Sequence, residues 1–199
     1  MSTATATVDV REKILATGQR IMGGKGFSAV GLNEILGAAG VPKGSFYHYF
    51  ASKEAFGEAL LEDYFEDYLA DMDRTLRQAR GPVAGRLENY FQAWQDNQSF
   101  LDCQGKCLAV KLAAEVADLS EAMRASLKRG TSAIVARLAE AIEAGKADGS
   151  LTLDEAPADA AQNLYQLWLG ASIMVKITRD TGPFQKATLA TQQLLNPSP

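Results

Sequence analysis

Apolar side chains recur every three or four residues along most of this chain, and glycine and proline interrupt them at helix-length intervals. Val10, Ile14, Ile21 and Met22 set one such stripe, and Leu32, Ile35 and Leu36 set the next. That spacing puts the apolar groups on one face of a 3.6-residue helix. No alternating run of useful length appears, so the predicted class is all-α.

The breakers divide the pattern. A first helix runs into Gly23-Gly24-Lys25-Gly26, and a short second one ends at Gly40. Pro42 opens a third, carrying Lys43 to Tyr49, because a first-turn residue needs no N–H donor. Ser52 reads as an N-cap for a long helix from Glu54 to Leu76, broken by Gly81-Pro82. Further helices are predicted over 83–98, 105–117, 120–147, 157–178 and 183–195, with Ser120-Glu121 and Asp154-Glu155 at helix starts. The loop 147–157 has room for a brief extended piece. Residues 1–9 read as a loose tail. A boundary near Ala51 separates a small head, 1–51, from a larger body, 52–199.

The chain has 199 residues, about half of them hydrophobic, as folded domains require. Its apolar runs fall short of the ~18 residues that span a bilayer. The N-terminus lacks a secretory pattern, so a cytoplasmic, membrane-free protein is expected. The net charge is −4, but residues 1–56 carry six basic and four acidic side chains. A basic head on an acidic body suits a DNA-binding module. The only histidine is His48, which leaves the body none for a Cys-His or Ser-His-Asp site. A phosphate-loop pattern is absent as well. A cysteine-lysine enzyme is left as a disfavoured alternative, and no enzyme, cofactor or metal site is expected.

The segment VPKGSFYHYFASKEAF (41–56) crowds rings and cations together. Two short helices around the turn AAGV (38–41) form a helix-turn-helix pattern, in which the second helix enters the major groove. On that helix Phe46 and Phe50 lie one turn apart and can share the inward face. Ser45, Tyr47 and His48 project outward, and Tyr49 fits either face. Lys43 and Gly44 sit in the first turn, where backbone N–H groups favour phosphate and glycine lets the sugar-phosphate chain approach. Lys53 can grip the same strand.

The run GFSAVGLNEILGAAGVPKGSFYHYFASKEAF closely resembles the DNA-binding head of TetR-family transcriptional repressors. That resemblance implies a homodimer whose two heads occupy successive major grooves of a palindromic operator, with a C-terminal body for ligand sensing and dimerisation. By position it implies DNA contacts from Lys43, Gly44, Ser45, Tyr47, His48 and Lys53. Many members start the second helix with Thr or Ser where this chain has Gly31, so Asn33 becomes that helix's candidate contact. The last two helices, with Gly170, Ala171, Ala187 and Ala190, are the expected dimer interface.

In the body, GKCLAVKLAAEVADLSEAMR (105–124) and YQLWLGASIMVKITR (165–179) resemble an electrophile- and oxidant-responsive branch of the family. In that branch the cysteine matching Cys107 is the sensing thiol and the lysine matching Lys176 lies near it. A helix beginning at Gly105 puts Cys107 in its first turn, with Lys106 adjacent and Lys111 one turn on. Both the helix end and the cations favour thiolate. Residues alone also allow a buried, inert Cys107 and a Lys176 that merely extends to solvent. Cys103 is incidental or at most a resolving thiol. The partners expected are operator DNA, a second copy of the chain, and a small reactive electrophile or an apolar inducer.

Overall fold

A computed structural model describes residues 3–97 and 108–197. The helices are α1 (Thr3–Lys25), α2 (Leu32–Ala39), α3 (Lys43–Tyr49), α4 (Lys53–Met72), α5 (Val83–Asn97), α6 (Leu108–Leu119), α7 (Glu121–Ala147), α8 (Pro157–Thr178) and α9 (Gly182–Leu195). Among the described residues there is no strand, only an isolated bridge from Leu151, in the loop expected to hold an extended piece, to Pro197 beyond α9. The fold is all-α, as predicted.

The stops follow from local chemistry. Gly40, at φ 62°, ends α2 in the left-handed region, where its lack of a Cβ avoids a clash. The Val41 N–H then returns to the Leu36 carbonyl at 3.0 Å, satisfying an end carbonyl. Pro42 is the N-cap of α3, and Ser52 Oγ accepts the Ala55 N–H at 3.0 Å as α4 begins. Ser120 Oγ does the same for Met123 at 3.3 Å.

Three expectations need correction. The tail expected over 1–9 is helical from Thr3. Once a helix is nucleated each further residue adds one hydrogen bond, so a Thr-Ala stretch without an apolar stripe can still extend it. The helix expected to run unbroken to Leu76 instead changes at Met72 into a π-helical segment, Asp73–Gln78. There Thr75 Oγ1 donates to the Asp71 carbonyl at 3.1 Å, competing with the backbone ladder. Leu76 stays buried and Asp73 meets Arg137 at 3.1 Å. Lastly, α8 starts at Pro157 behind Ala156, so its first-turn acid is Asp159 and not the Asp154-Glu155 pair.

The residues cluster into two compact units. One comprises Met1–Glu66 with Gln104–Gly130, the other Asp67–Cys103 with Thr131–Pro199. The first is built on a ring cluster. Phe46 lies 5.2 Å from Phe50 and 5.5 Å from Phe56, and all three are buried, as are Ile14, Met22 and Ile35. Gly57 of α4 leaves the space that Phe27 and Met123 fill: a Cβ there would stand 2.6 Å from Phe27 Cε2 and 2.5 Å from Met123 Sδ.

In the second unit Trp168 lies between Phe91 (4.8 Å) and Phe184 (5.7 Å), nearly parallel to both. Both buried indoles are satisfied. Trp94 Nε1 donates to Ser172 Oγ and Trp168 Nε1 to Thr191 Oγ1, each at 2.9 Å. The start of α5 is capped from the α7–α8 loop, since Asp148 accepts the Val83 N–H and Ser150 the Ala84 N–H, both at 3.1 Å. Hydrogen bonds from Ser150 and from Val83 hold the Asp148 carboxyl below its ordinary pKa.

Candidate nucleic-acid interface

The seven residues of α3 divide as their spacing predicts. Phe46 faces the core, and Phe50 just beyond the helix does too. Lys43, Gly44 and His48 are exposed, Tyr47 is 52 % exposed, and Ser45 and Tyr49 are half-buried. Lys43 Nζ stands 5.9 Å from the Tyr47 ring centre, and His48 packs edge-on against Tyr49 at 4.8 Å. No carboxylate lies on α3, so its outward row offers donors, a cation and ring edges. A Cβ at Gly44 would meet nothing within 4 Å, which leaves open space over the first turn.

Asn33 is exposed on α2. Gly31, the N-cap of α2, gives no side-chain cap bond. Next to Asn33, Glu34 pairs with Lys25 of α1 at 2.6 Å.

Lys53 sits differently from the other cations. Half-buried at the start of α4, it donates from Nζ to the Phe27 carbonyl at 2.8 Å and stands 4.5 Å over the Phe27 ring. Its ammonium therefore joins α4 to the α1–α2 turn within the head.

That turn also binds a residue that sequence reasoning missed. Glu115 of α6 accepts the Phe27 N–H at 3.0 Å and the Ser28 N–H at 2.6 Å, one on each carboxylate oxygen. Burial would push its pKa up, but the hydrogen bonds from Ser28 and Phe27 and the charge of Lys53 outweigh burial and lower it. The one sequence signal was an acid midway along LAVKLAAEVADL, a largely apolar run that also carries Lys111 and Asp118.

Of the expected sensing residues, Cys107 lies outside the described residues, as does Cys103. Lys176 is half-buried on α8. The same helix exposes Leu167, Ile173, Met174 and Ile177, and α9 exposes Leu189. The Gly170 Cβ position is open. Among the described residues no helix is long and apolar enough to cross a membrane, and no group of His, Cys, Asp or Glu is placed to hold a metal.

A three-helix head whose third helix, α3, carries the rings, together with a helical body, defines a helix-turn-helix DNA-binding regulator. Residues 14–60 match the family described as bacterial regulatory proteins, tetR family, and residues 83–191 match the tetracyclin repressor-like C-terminal domain. The chain belongs to the TetR family and is a DNA-binding transcriptional repressor similar to NemR. It is 41% identical over 187 residues to the HTH-type transcriptional repressor NemR of Escherichia coli (strain K12), spanning 94% of both chains. It is 35% identical to the HTH-type transcriptional repressor DhaR of Mycobacterium sp. (strain GP1), covering 97% of this chain and 96% of that one. The crystal structure of E. coli NemR in its reduced form superposes with a TM-score of 0.89 at 42% identity, covering 94% of this chain and 97% of that one.

Proposed function

We propose that the chain is a homodimeric repressor of a palindromic operator, working in the cytoplasm, and that it leaves DNA when Cys107 is modified by an electrophile or oxidant. The observation that carries this reading is similarity across 94% of both chains to NemR, a relative whose crystal structure is of a reduced form. Residues 1–51 are the proposed DNA-binding domain and 52–199 the regulatory and dimerising one. Lys43, Gly44, Ser45, Tyr47 and His48 of α3 contact the operator, with Asn33 of α2 and Lys53 at the start of α4. The outward row of α3 supports the first group.

The chemistry suits a thiolate. Its sulfur adds to the β-carbon of an enone, and the resulting enolate takes a proton from water. With a hypohalous acid it forms a sulfenyl halide and releases hydroxide. An amine then displaces halide, losing a proton as the S–N bond forms. In this reading the amine is that of Lys176, which interrupts the apolar stretch Ile173–Ile177 of α8. The test is operator affinity before and after an enone or hypochlorite. Wild type is released and Cys107→Ser stays bound; equal release of both excludes the thiol as sensor.

The apolar face of α8 and α9 supports pairing of two copies, because Ile177 at 67 % exposure and Leu189 at 58 % stand in water on a single chain. A second reading, induction by a small apolar molecule, draws on a cleft of about 870 Å³ within the second unit. Phe91, Trp168, Leu87 and Leu195 line it, with Glu88 and Gln192 among its polar groups. Mass spectrometry separates the two readings, since only the first leaves an adduct on Cys107.

A further inference from the structure

We propose that Glu115 is a positioning residue for operator binding, whose carboxylate fastens the helix-turn-helix head to α6 by holding the Phe27 and Ser28 N–H groups. The part concerning release rests on the thiol-sensing reading; the part concerning affinity does not.

The contact is built from several sides. At 3.0 and 2.6 Å the two oxygens take one N–H each, so a single side chain satisfies two donors of the turn. Gly26, just before them, has φ 93°, and a Cβ there would stand 3.0 Å from Glu115 Oε2. Glycine is thus required both by the backbone conformation and by the approach of the carboxylate. The Phe27 ring is buried beside Met123 of α7 at Gly57 of α4. The Phe27 carbonyl is taken by Lys53, four residues past the end of α3. One turn residue therefore gathers a carboxylate from α6 and an ammonium from α4, on either side of one peptide unit.

This arrangement makes the head sensitive to small movements of α6. Glu115 lies seven residues past Leu108, the first residue of α6, so about 10 Å of stiff helix separates them. Cys107 immediately precedes Leu108 in the sequence. A shift of α6 by roughly 1 Å carries both N–H contacts past hydrogen-bonding distance. The turn between α1 and α2 then keeps Lys53 but loses its hold on α6, and α2 and α3 lose a fixed bearing.

The experiment compares wild type, Glu115→Gln and Glu115→Asp. The Gln amide offers one acceptor oxygen and sets an NH2 against the second donor; Asp keeps the charge but is one methylene short. Each variant is expected to bind operator about tenfold or more weakly. Amide hydrogen exchange at Phe27 and Ser28 should speed up in both while the α5 amides keep their wild-type rates. Treatment with methyl vinyl ketone should then weaken Glu115→Gln by a smaller factor than it weakens wild type, because the clamp is already open. Wild-type affinity in both variants, or unchanged exchange at 27 and 28, overturns the proposal. An equal fold-loss on treatment overturns its place in release. If Cys107 takes up no reagent, the sensing reading fails, and the untreated affinities still decide on Glu115. If Glu115→Gln does not fold, Glu115→Asp carries the same comparison.

Discussion

Trp94 of α5 and Ser172 of α8 are joined by an indole N–H donated across 2.9 Å, and the same serine hydroxyl donates to the Trp168 carbonyl at 2.8 Å. Ser172 is buried, as is the indole. Replacing Ser172 with alanine strands the Trp94 N–H among rings. The expected loss is about 1–3 kcal/mol of unfolding free energy, read by urea or thermal denaturation. A two-state loss below roughly 0.5 kcal/mol would mean that the indole finds another partner.

Gly57→Ala tests the packing of the first unit. The new methyl would press on the Phe27 ring and Met123 sulfur at once. Overpacking of that kind costs about 1–3 kcal/mol. Because Phe27 belongs to the clamped turn, operator affinity should fall along with the melting temperature.

Operator contacts on α3 should separate by kind. Lys43→Ala is expected to weaken binding nearly uniformly across sequences and to reduce the slope of log affinity against log salt by about 1. Tyr47→Ala and His48→Ala should weaken binding with less change in that slope. Lys53→Met should cost stability as well as affinity, since its ammonium holds the Phe27 carbonyl. Lys53→Met melting like wild type would place that lysine's role on DNA alone.

Acid should loosen the clamp. Glu115 has its folded pKa lowered, with Ser28 of the turn and Lys53 of α4 facing it. A carboxyl lowered on folding stabilises fully above its unfolded value of about 4.3 and loses that contribution as pH falls through the lower folded value. Stability should therefore decline below about pH 4.3, and Glu115→Gln should flatten that part of the curve. Equilibrium denaturation from pH 7 down to 3 measures it; an identical pH slope in the variant would remove Glu115 from the titration.

Pairing is tested at Ile177→Lys. A charge on the exposed face of α8 should not disturb the core, because Ile177 is two-thirds in solvent. Sedimentation should show the variant shifted to single chains, with loss of operator binding. A variant that remains paired would move the interface elsewhere.

Much of this architecture can be read from the residues, and the reason differs by element. Gly40, Pro42 and Ser52 each do something only a few residue types can do, so the limits of α2, α3 and α4 are legible. Phe46 and Phe50 are legible as core by their four-residue spacing, which leaves Tyr47 and His48 outside. The π-helical segment at Asp73–Gln78 was not, because the same residues satisfy an α-helical stripe. The Thr-Ala start of α1 carries no apolar period to mark it. Glu115 was hidden for another reason: its partners are backbone N–H groups 87 and 88 residues away, and backbone donors leave no trace in a sequence. Lys53 looked like a surface cation because its acceptor is a carbonyl.

The bare aliphatic strip along α8 and α9 bears on how sharply such a regulator responds. If two copies must meet before either can read DNA, then at low abundance occupancy of the target climbs with the square of the amount of polypeptide made. A modest fall in synthesis would then empty the site out of proportion, so the same surface that hides grease from water also sets the threshold at which a gene falls silent.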